Sequence, residues 1–99
     1  MAKVKQTKIR KSARGESCSL RLGNCSSNET VVLAHIGRNR GMGFKCADYM
    51  AVYACSNCHD IIDRRVDAGM TKDQINTEKL RALEETLGKI VDKGLLNVV

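Results

Sequence analysis

The 99-residue sequence has no proline and no tryptophan, and aromatic residues make up only 3% of it. A small core without large rings buries little apolar area, so chains of this length often need a metal ion or disulfide bonds for stability. No apolar run approaches the roughly 20 residues of a membrane span. The basic N-terminus also lacks the apolar segment of a secretion signal. We therefore expect a cytoplasmic chain with no membrane partner.

Acidic residues are missing from the first fifteen positions, which carry six basic side chains. The rest of the chain has equal numbers of basic and acidic residues, so the whole net charge of +6 comes from this segment. A basic segment attracts nucleic-acid phosphates by counterion release, although a solvated tail is the simpler alternative. We predict a flexible basic arm over residues 1–15 and a single domain over residues 16–99.

Four of the five cysteines form two pairs. Cys55 and Cys58 form a CxxC motif, and Cys18 and Cys25 precede them in a segment rich in Ser, Asn and Gly. Thiols stay reduced in the cytoplasm, where such pairs favour a metal ion over a disulfide. Four thiolates suit tetrahedral Zn²⁺, so we predict a structural zinc site.

A second ligand set for this zinc is also consistent with the sequence. A site of three cysteines and one histidine, using His35 or His59, would also suit zinc. The fifth cysteine, Cys46, has no partner in sequence, and we interpret it as a small packed apolar residue.

Apolar patterning predicts two strands followed by two helices. The β-branched stretch TVVLAHI predicts a strand over residues 30–36, and MAVYA predicts a second strand over residues 50–54. A helix is expected over about residues 56–66. A capping box, TKDQ at Thr71, and apolar residues at helical spacing predict a last amphipathic helix that ends near Gly94.

Directly after the CxxC motif, the stretch HDIID places His59 and Asp63 four residues apart. On a helix these two side chains share one face and meet. An imidazole with a carboxylate suits a divalent cation, with water or phosphate oxygens completing its shell. A surface pair that binds nothing is the alternative. Asp60 points away from His59, and its carboxylate is expected to favour the positive end of the helix dipole.

His35 ends the first predicted strand. If the two strands pair as a hairpin, the helix after the CxxC motif returns across them, and His35 could face the His59–Asp63 pair. There it could take a proton from water that attacks phosphorus, while a cation stabilises the developing charge. Basic residues of the following glycine-rich loop would hold the phosphate backbone, and these are Arg38, Arg40 and Lys45.

The segments SCSLRLGNC, VVLAHI, GMGFK and VYACSNCHDIID together resemble the HNH, or ββα-metal, nucleases that contain a treble-clef zinc finger. They are most similar to the small prophage-encoded YbcO-type nucleases, over roughly residues 8–70. The resemblance implies a zinc site formed by the two cysteine pairs. It also implies a general base at His35 and a metal-binding residue at His59, with Asp63 where some relatives carry a second metal-binding histidine.

The sequence departs from the HNH pattern at two positions. Many HNH enzymes carry an Asp ligand just before the first histidine, where this chain has Ala34. The middle Asn of the pattern has no clear counterpart, and Asp48 is the nearest polar residue. A cation would then have fewer protein ligands, although a two-ligand Mg²⁺ site can function when substrate phosphate completes it.

We therefore predict an α+β domain of the ββα-metal, treble-clef type, with one structural Zn²⁺ and an added C-terminal amphipathic helix. The expected function is a metal-dependent DNA endonuclease that uses Mg²⁺ or Mn²⁺ and needs no small-molecule cofactor. The alternatives are a non-catalytic zinc module that binds nucleic acid, and a protein-interaction module or homodimer formed through the C-terminal helix. The expected DNA contacts are Arg38, Arg40, Lys45, Lys8, Arg10 and Lys11.

Overall fold

The computed structural model of the chain describes residues 8–37 and 49–96. The elements in those residues are helix α1 (Lys8–Ser12), a 3-10 helix (Asn28–Thr30), strand β1 (Val32–His35), strand β2 (Ala51–Ala54), helix α2 (Ser56–Ile62) and helix α3 (Lys72–Asp92). The described part is thus a small mixed α/β fold, with a two-stranded sheet and three α-helices.

Strands β1 and β2 pair antiparallel, with Leu33 opposite Tyr53 and His35 opposite Ala51. The two predicted strands therefore pair with each other. Strand β1 begins later than predicted because Thr30 belongs to the 3-10 helix, where its hydroxyl donates to a backbone carbonyl oxygen at 2.8 Å. Local side-chain hydrogen bonds of this kind compete with strand pairing.

The second edge of β2 is covered by other parts of the chain. The Ser19 backbone N–H donates to the Tyr53 carbonyl oxygen (2.8 Å), and the Tyr53 N–H donates to the Thr86 hydroxyl of α3 (3.1 Å). All four residues of β2 are buried. Covering the edge satisfies backbone groups that would otherwise be open to pairing with another chain.

Helix α3 confirms the predicted last helix. Its capping box is complete, since the Thr71 hydroxyl accepts the Gln74 N–H (3.1 Å) and the Gln74 side chain accepts the Thr71 N–H (2.8 Å). Ala82, Thr86 and Ile90 form its buried face, which packs on β2. The helix ends just before Gly94, which has a positive φ of 73°, as is common for the glycine that follows a helix.

Helix α2 ends at Ile62, four residues earlier than predicted. The chain turns there because Arg64 adopts a left-handed conformation, with φ of 62°. The N–H groups of Arg64 and Arg65 donate back to the carbonyl oxygens of Ile61 (3.1 Å) and Asp60 (2.9 Å). This is a Schellman motif, in which glycine is the usual left-handed residue. Because arginine stands where glycine is usual, the sequence does not indicate that the helix ends here.

The segment predicted as the inner half of a flexible arm is folded on the domain. Residues 8–12 form α1, and Ala13 is 1% exposed. The Ser12 hydroxyl contacts the hydroxyl of buried Tyr53 at 2.6 Å. The basic composition of this segment gives no sign of these contacts. Among the described residues, the part of the chain that packs on the domain therefore begins before the predicted boundary at residue 15. Residues 1–7 lie outside the described residues.

Arginine side chains join α3 to the loop that carries the first cysteine pair. Arg81 donates to the backbone carbonyl oxygens of Ser19 (2.9 Å) and Leu20 (2.6 Å). Arg21, on that loop, makes a bidentate ion pair with Glu85 of α3, in which its two Nη atoms donate to the two carboxylate oxygens at 2.9 and 2.8 Å. Arg21 and then Arg81 lower the pKa of Glu85 to about 2, so this carboxylate stays charged at neutral pH.

Candidate metal centre and candidate active site

The four predicted cysteines come together at the start of α2. The Sγ atoms of Cys18, Cys25, Cys55 and Cys58 all lie within 4.8 Å of one another. Cys25 and Cys58 have sulfurs 3.9 Å apart, far beyond the roughly 2.05 Å of a disulfide. A tetrahedral ion with metal–sulfur bonds of about 2.3 Å separates its sulfurs by about 3.8 Å. The donor set therefore fits one tetrahedral metal ion such as zinc.

Backbone N–H groups surround these sulfurs. The donors are Arg21 to Cys18 (3.4 Å), Leu22 to Cys58 (3.3 Å), and Ser26 and Cys58 to Cys55 (both 3.4 Å). The left-handed backbone of Arg21, with φ of 49°, turns the loop so that successive N–H groups reach two different cysteines. N–H donors stabilise thiolate charge and orient the ligands, as is typical of the surroundings of a metal site.

Without a cation the four thiols would not ionise together. Burial opposes ionisation of Cys55, but the N–H groups of Cys58 and Ser26 prevail and lower its pKa to about 7. Burial, reinforced by the neighbouring Cys18, raises the pKa of Cys25 to about 11. Burial also raises the pKa of Cys58 well above its usual range. Metal binding must therefore release protons, and its affinity must fall as the pH falls.

The histidine alternative is not the arrangement that forms. Within residues 8–37 and 49–96, the four cysteines are the one group in which three or more Cys, His, Asp or Glu side chains converge as metal ligands. Neither His35 nor His59 belongs to it. Cys46 lies outside the described residues.

His59 and Asp63 meet on α2 as the helical spacing predicts. His59 Nε2 lies 3.3 Å from Asp63 Oδ2, and the two side chains are 33% and 22% exposed. His59 follows Cys58 directly and Asp63 caps the C-terminal end of α2, so this short helix fixes the position of both side chains. Two donors of different kinds, open to solvent on one side, can bind a divalent cation and leave positions for water or substrate.

Arg65 is a third member of this site that the sequence reasoning missed. Its guanidinium contacts Asp60 Oδ1 at 2.8 Å and Asp63 Oδ2 at 3.3 Å. One carboxylate oxygen of Asp63, Oδ2, is therefore in contact with the side chains of both His59 and Arg65. Asp60, which points away from His59, joins the group through Arg65. The available signal was the pair of arginines directly after HDIID.

His35 is the last residue of β1 and is partly buried. Its partner in the sheet, Ala51, begins the strand that leads into the cysteines and α2. The preceding residue, Ala34, is 1% exposed and packs in the core. Ala34 therefore contributes packing and no side-chain ligand atom.

The predicted nucleic-acid contacts divide into two groups. Lys8, Arg10 and Lys11 lie on α1, where Lys8 and Lys11 are exposed. The loop residues Arg38, Arg40 and Lys45, together with Asp48, lie outside the described residues. Among the described helices, none has the length and apolar character needed to cross a membrane.

The fold and the cysteine cluster define a small mixed α/β protein with four cysteines that could hold one metal ion. The family model described as "Putative nuclease YbcO" matches residues 7–93. Two curated relatives, "Putative nuclease YbcO" of Escherichia coli (strain K12) and its namesake from Enterobacteria phage 82, are each 51% identical over 72 residues, covering 66% of this chain and 75% of theirs. The chain belongs to the YbcO family.

A solved structure has the same fold. It is titled "Structure of a putative bacteriophage protein from Escherichia coli str. K-12 substr. MG1655". The match has a TM-score of 0.72 and 35% sequence identity, and it covers 88% of this chain and 100% of the other. The family model and the two curated relatives agree with the YbcO-type resemblance of the sequence.

Proposed function

We propose that this chain is a metal-dependent DNA endonuclease of the HNH type, in which a treble-clef zinc finger supports a separate catalytic cation. The observation that carries the proposal is the His59–Asp63 pair, 3.3 Å apart, formed by a residue of α2 and the residue that caps the end of α2. Helix α2 starts at the four-cysteine cluster. Membership of a family named for nuclease activity supports it. The basic α1 and the predicted basic loop supply charge suited to DNA.

Each group has a separate role in the proposed reaction. The imidazole of His35 accepts a proton from the water that attacks phosphorus. The ring nitrogen of His59 and the carboxylate of Asp63 hold Mg²⁺ or Mn²⁺. That cation, when bound, stabilises the charge that develops on the phosphate and the leaving oxygen. Water is the nucleophile, so no covalent intermediate with the enzyme is needed.

The remaining groups hold the domain and the substrate. The four cysteines would hold Zn²⁺ in a structural role, because together they would fill all four positions of a tetrahedral ion. A cytoplasmic location would keep these thiols reduced. The DNA backbone is held by Lys8, Arg10 and Lys11 of α1 and by Arg38, Arg40 and Lys45 of the loop. We assign the nuclease activity to a single domain over residues 16–99. Before residue 16, Ala13 is buried and Ser12 contacts Tyr53 of this domain.

The experiment is nicking of supercoiled plasmid by zinc-loaded protein, with and without added Mg²⁺ or Mn²⁺. The control is His35→Ala, checked for an unchanged zinc content. Loss of a general base is expected to slow cleavage by about 10²- to 10⁴-fold while DNA binding persists. Nicking at equal rates by both proteins would contradict the role of His35. Binding without any metal-dependent nicking would contradict the nuclease.

A non-catalytic zinc module that binds nucleic acid is the second candidate. The observation that favours it is Ala34, which is buried and leaves the cation without the usual third ligand. In that case His35→Ala would leave every measurable property nearly unchanged, and DNA would be bound but not cut.

A homodimer through α3 remains a prediction. Leu80 is 69% exposed, and Leu83 and Leu87 line a shallow cavity of about 600 Å³ beside it. An unpaired apolar strip of this kind also occurs on monomers. Light scattering over a range of concentrations would show a mass that doubles for a dimer. A mass that stays at one chain would contradict it.

A further inference from the structure

A positively charged cleft lies beside the His59–Asp63 pair, between the end of α2 and the first turns of α3. Its volume is about 480 Å³. The described lining residues include four basic side chains, Arg64, Arg65, Lys72 and Lys79, and a single carboxylate, Asp63. We call this the Arg64 cleft. Its charge suits an anion of phosphate size, and nothing in the proposed catalytic roles accounts for it.

The first of these residues is placed against the preference of the backbone. Arg64 has φ of 62°, at the left-handed position of the Schellman motif that ends α2. Glycine is favoured there because a Cβ atom crowds the left-handed conformation. The arginine side chain is exposed and forms part of the cleft wall. Strained residues occur often at functional sites, so the strain points to a use for this side chain.

Lys72 is placed against a second local preference. It is the first residue of α3, directly after the capping residue Thr71. The N-terminal end of a helix carries partial positive charge, so a lysine there is disfavoured and an acidic residue is preferred. Lys72 is exposed and lines the same cleft. Two independent departures from folding preference thus place positive charge in one cavity.

The cleft is continuous with the proposed active site. Asp63 lines the cleft and contacts His59 through Oδ2, while Arg65 contacts that same oxygen from the cleft side. A nucleic-acid strand with one phosphate at His59–Asp63 would therefore bring a neighbouring phosphate to the cleft, since successive phosphates are only a few ångströms apart.

We propose that the Arg64 cleft binds a backbone phosphate of the nucleic-acid strand next to the phosphate that is cut. The inference rests on the proposed function and deepens it, because it names a strand-holding subsite outside α1 and the basic loop. Contacts to backbone phosphates position a strand without reading its sequence. The cleft would thus contribute to affinity for all sequences equally.

The test measures binding of a fluorescent short DNA duplex by zinc-loaded protein without added Mg²⁺ or Mn²⁺. Wild type is compared with Arg64→Gly, Lys72→Gln and the double variant between about 50 and 200 mM salt. Each single change is expected to weaken binding about 3- to 10-fold. Each is also expected to reduce the slope of log affinity against log salt by about 0.9.

Both changes relieve a local folding conflict, so neither variant should melt below wild type. A loss of binding would then not come from unfolding. The charge-matched control is Lys93→Gln, at the far end of the 21-residue α3, where Lys93 pairs with Glu16 at 2.7 Å. That position is about 30 Å along the helix from Lys72. It should change affinity by less than about 2-fold.

Equal losses in Lys93→Gln and the cleft variants would overturn the inference, because net charge alone would then explain them. Unchanged affinity and salt slope in the double variant would overturn it too, even if inorganic phosphate binds the cleft. If Arg64→Gly and Lys72→Gln both cleave DNA at the wild-type rate, the cleft does not hold the strand, and the proposed nuclease activity is unaffected. A wild type that binds DNA through Arg64 and Lys72 but never cuts it would support phosphate binding by the cleft, and would refute both the nuclease and the position of the cleft beside a cut phosphate.

Discussion

The cysteine cluster, at the start of the short helix α2, and the His59–Asp63 pair, which reaches its C-terminal end, differ in the properties that govern metal binding. Three of the four cysteines are buried, and backbone N–H groups donate to their sulfurs. His59 offers a nitrogen ligand and Asp63 an oxygen ligand, and both side chains are partly exposed. A closed site with four ligands stabilises a fold, whereas an open site leaves positions for substrate. We therefore expect the four cysteines to stabilise the fold and the His59–Asp63 pair to carry the chemistry.

The largest effect should follow from breaking the closed site. In Cys58→Ser the cluster loses one thiolate, and structural zinc in small domains binds with about 10 to 16 kcal/mol. That exceeds or matches the whole stability of a typical domain, so the variant should be largely unfolded. Zinc content and circular dichroism measure this. The control is Cys46→Ser, which should keep the zinc. One zinc and a native melting curve in Cys58→Ser would refute the structural role.

The next effect separates the two carboxylates that contact Arg65. Asp63→Asn should lower the rate of DNA cleavage by about 10²-fold, because it removes a ligand charge from the proposed cation site. Asp60→Asn should stay within about 3-fold, since Asp60 contacts Arg65 but belongs to no proposed ligand set. Cleavage rates at saturating Mn²⁺ measure both. Equal losses in the two variants would assign the effect to Arg65 instead of the cation.

A smaller effect concerns the link between α3 and the cysteine loop. Arg81→Ala should cost about 2 to 3 kcal/mol, because two buried backbone carbonyl oxygens lose a charged donor. Arg21→Ala should cost less than about 1 kcal/mol, since Arg21 is 53% exposed and its ion pair with Glu85 is screened by solvent. Urea denaturation of the zinc-loaded variants gives both values. The reverse order would be incompatible with the geometry.

The smallest effect has the opposite sign. Arg64→Gly should raise the free energy of unfolding by about 1 kcal/mol, because glycine adopts a φ of 62° without strain. Gly69→Ala is the matched control, since Gly69 has φ of 73° and an added Cβ would touch nothing within 4 Å. It should lose about 1 kcal/mol through backbone strain alone. Thermal melts read both, and a destabilised Arg64→Gly would contradict the strain argument.

Sequence reasoning succeeded where local rules decide the structure. The two strands follow from their apolar, β-branched pattern, and α3 follows from its capping box at Thr71 and its apolar spacing. The meeting of His59 and Asp63 follows from helical spacing alone. The cysteines came together as paired thiols suggest, although six residues separate Cys18 from Cys25.

It failed where long-range contacts decide. The docking of α1 depends on a contact between Ser12 and Tyr53, 41 residues apart, and no local pattern marks it. The role of Arg81 depends on carbonyl oxygens more than 60 residues earlier. The early end of α2 was missed because Arg64 stands where the turn chemistry favours glycine. Arg64 and Lys72, which both depart from local folding preferences, line the proposed cleft.

The most direct test is a titration of Mn²⁺ into protein that carries one zinc per chain, with plasmid nicking as the readout. The account predicts no nicking with zinc alone and a saturable rise with Mn²⁺. That rise should be absent from Asp63→Asn, while the zinc content stays at one. Full activity with zinc alone, or an unchanged titration in Asp63→Asn, would contradict the division between a structural and a catalytic metal.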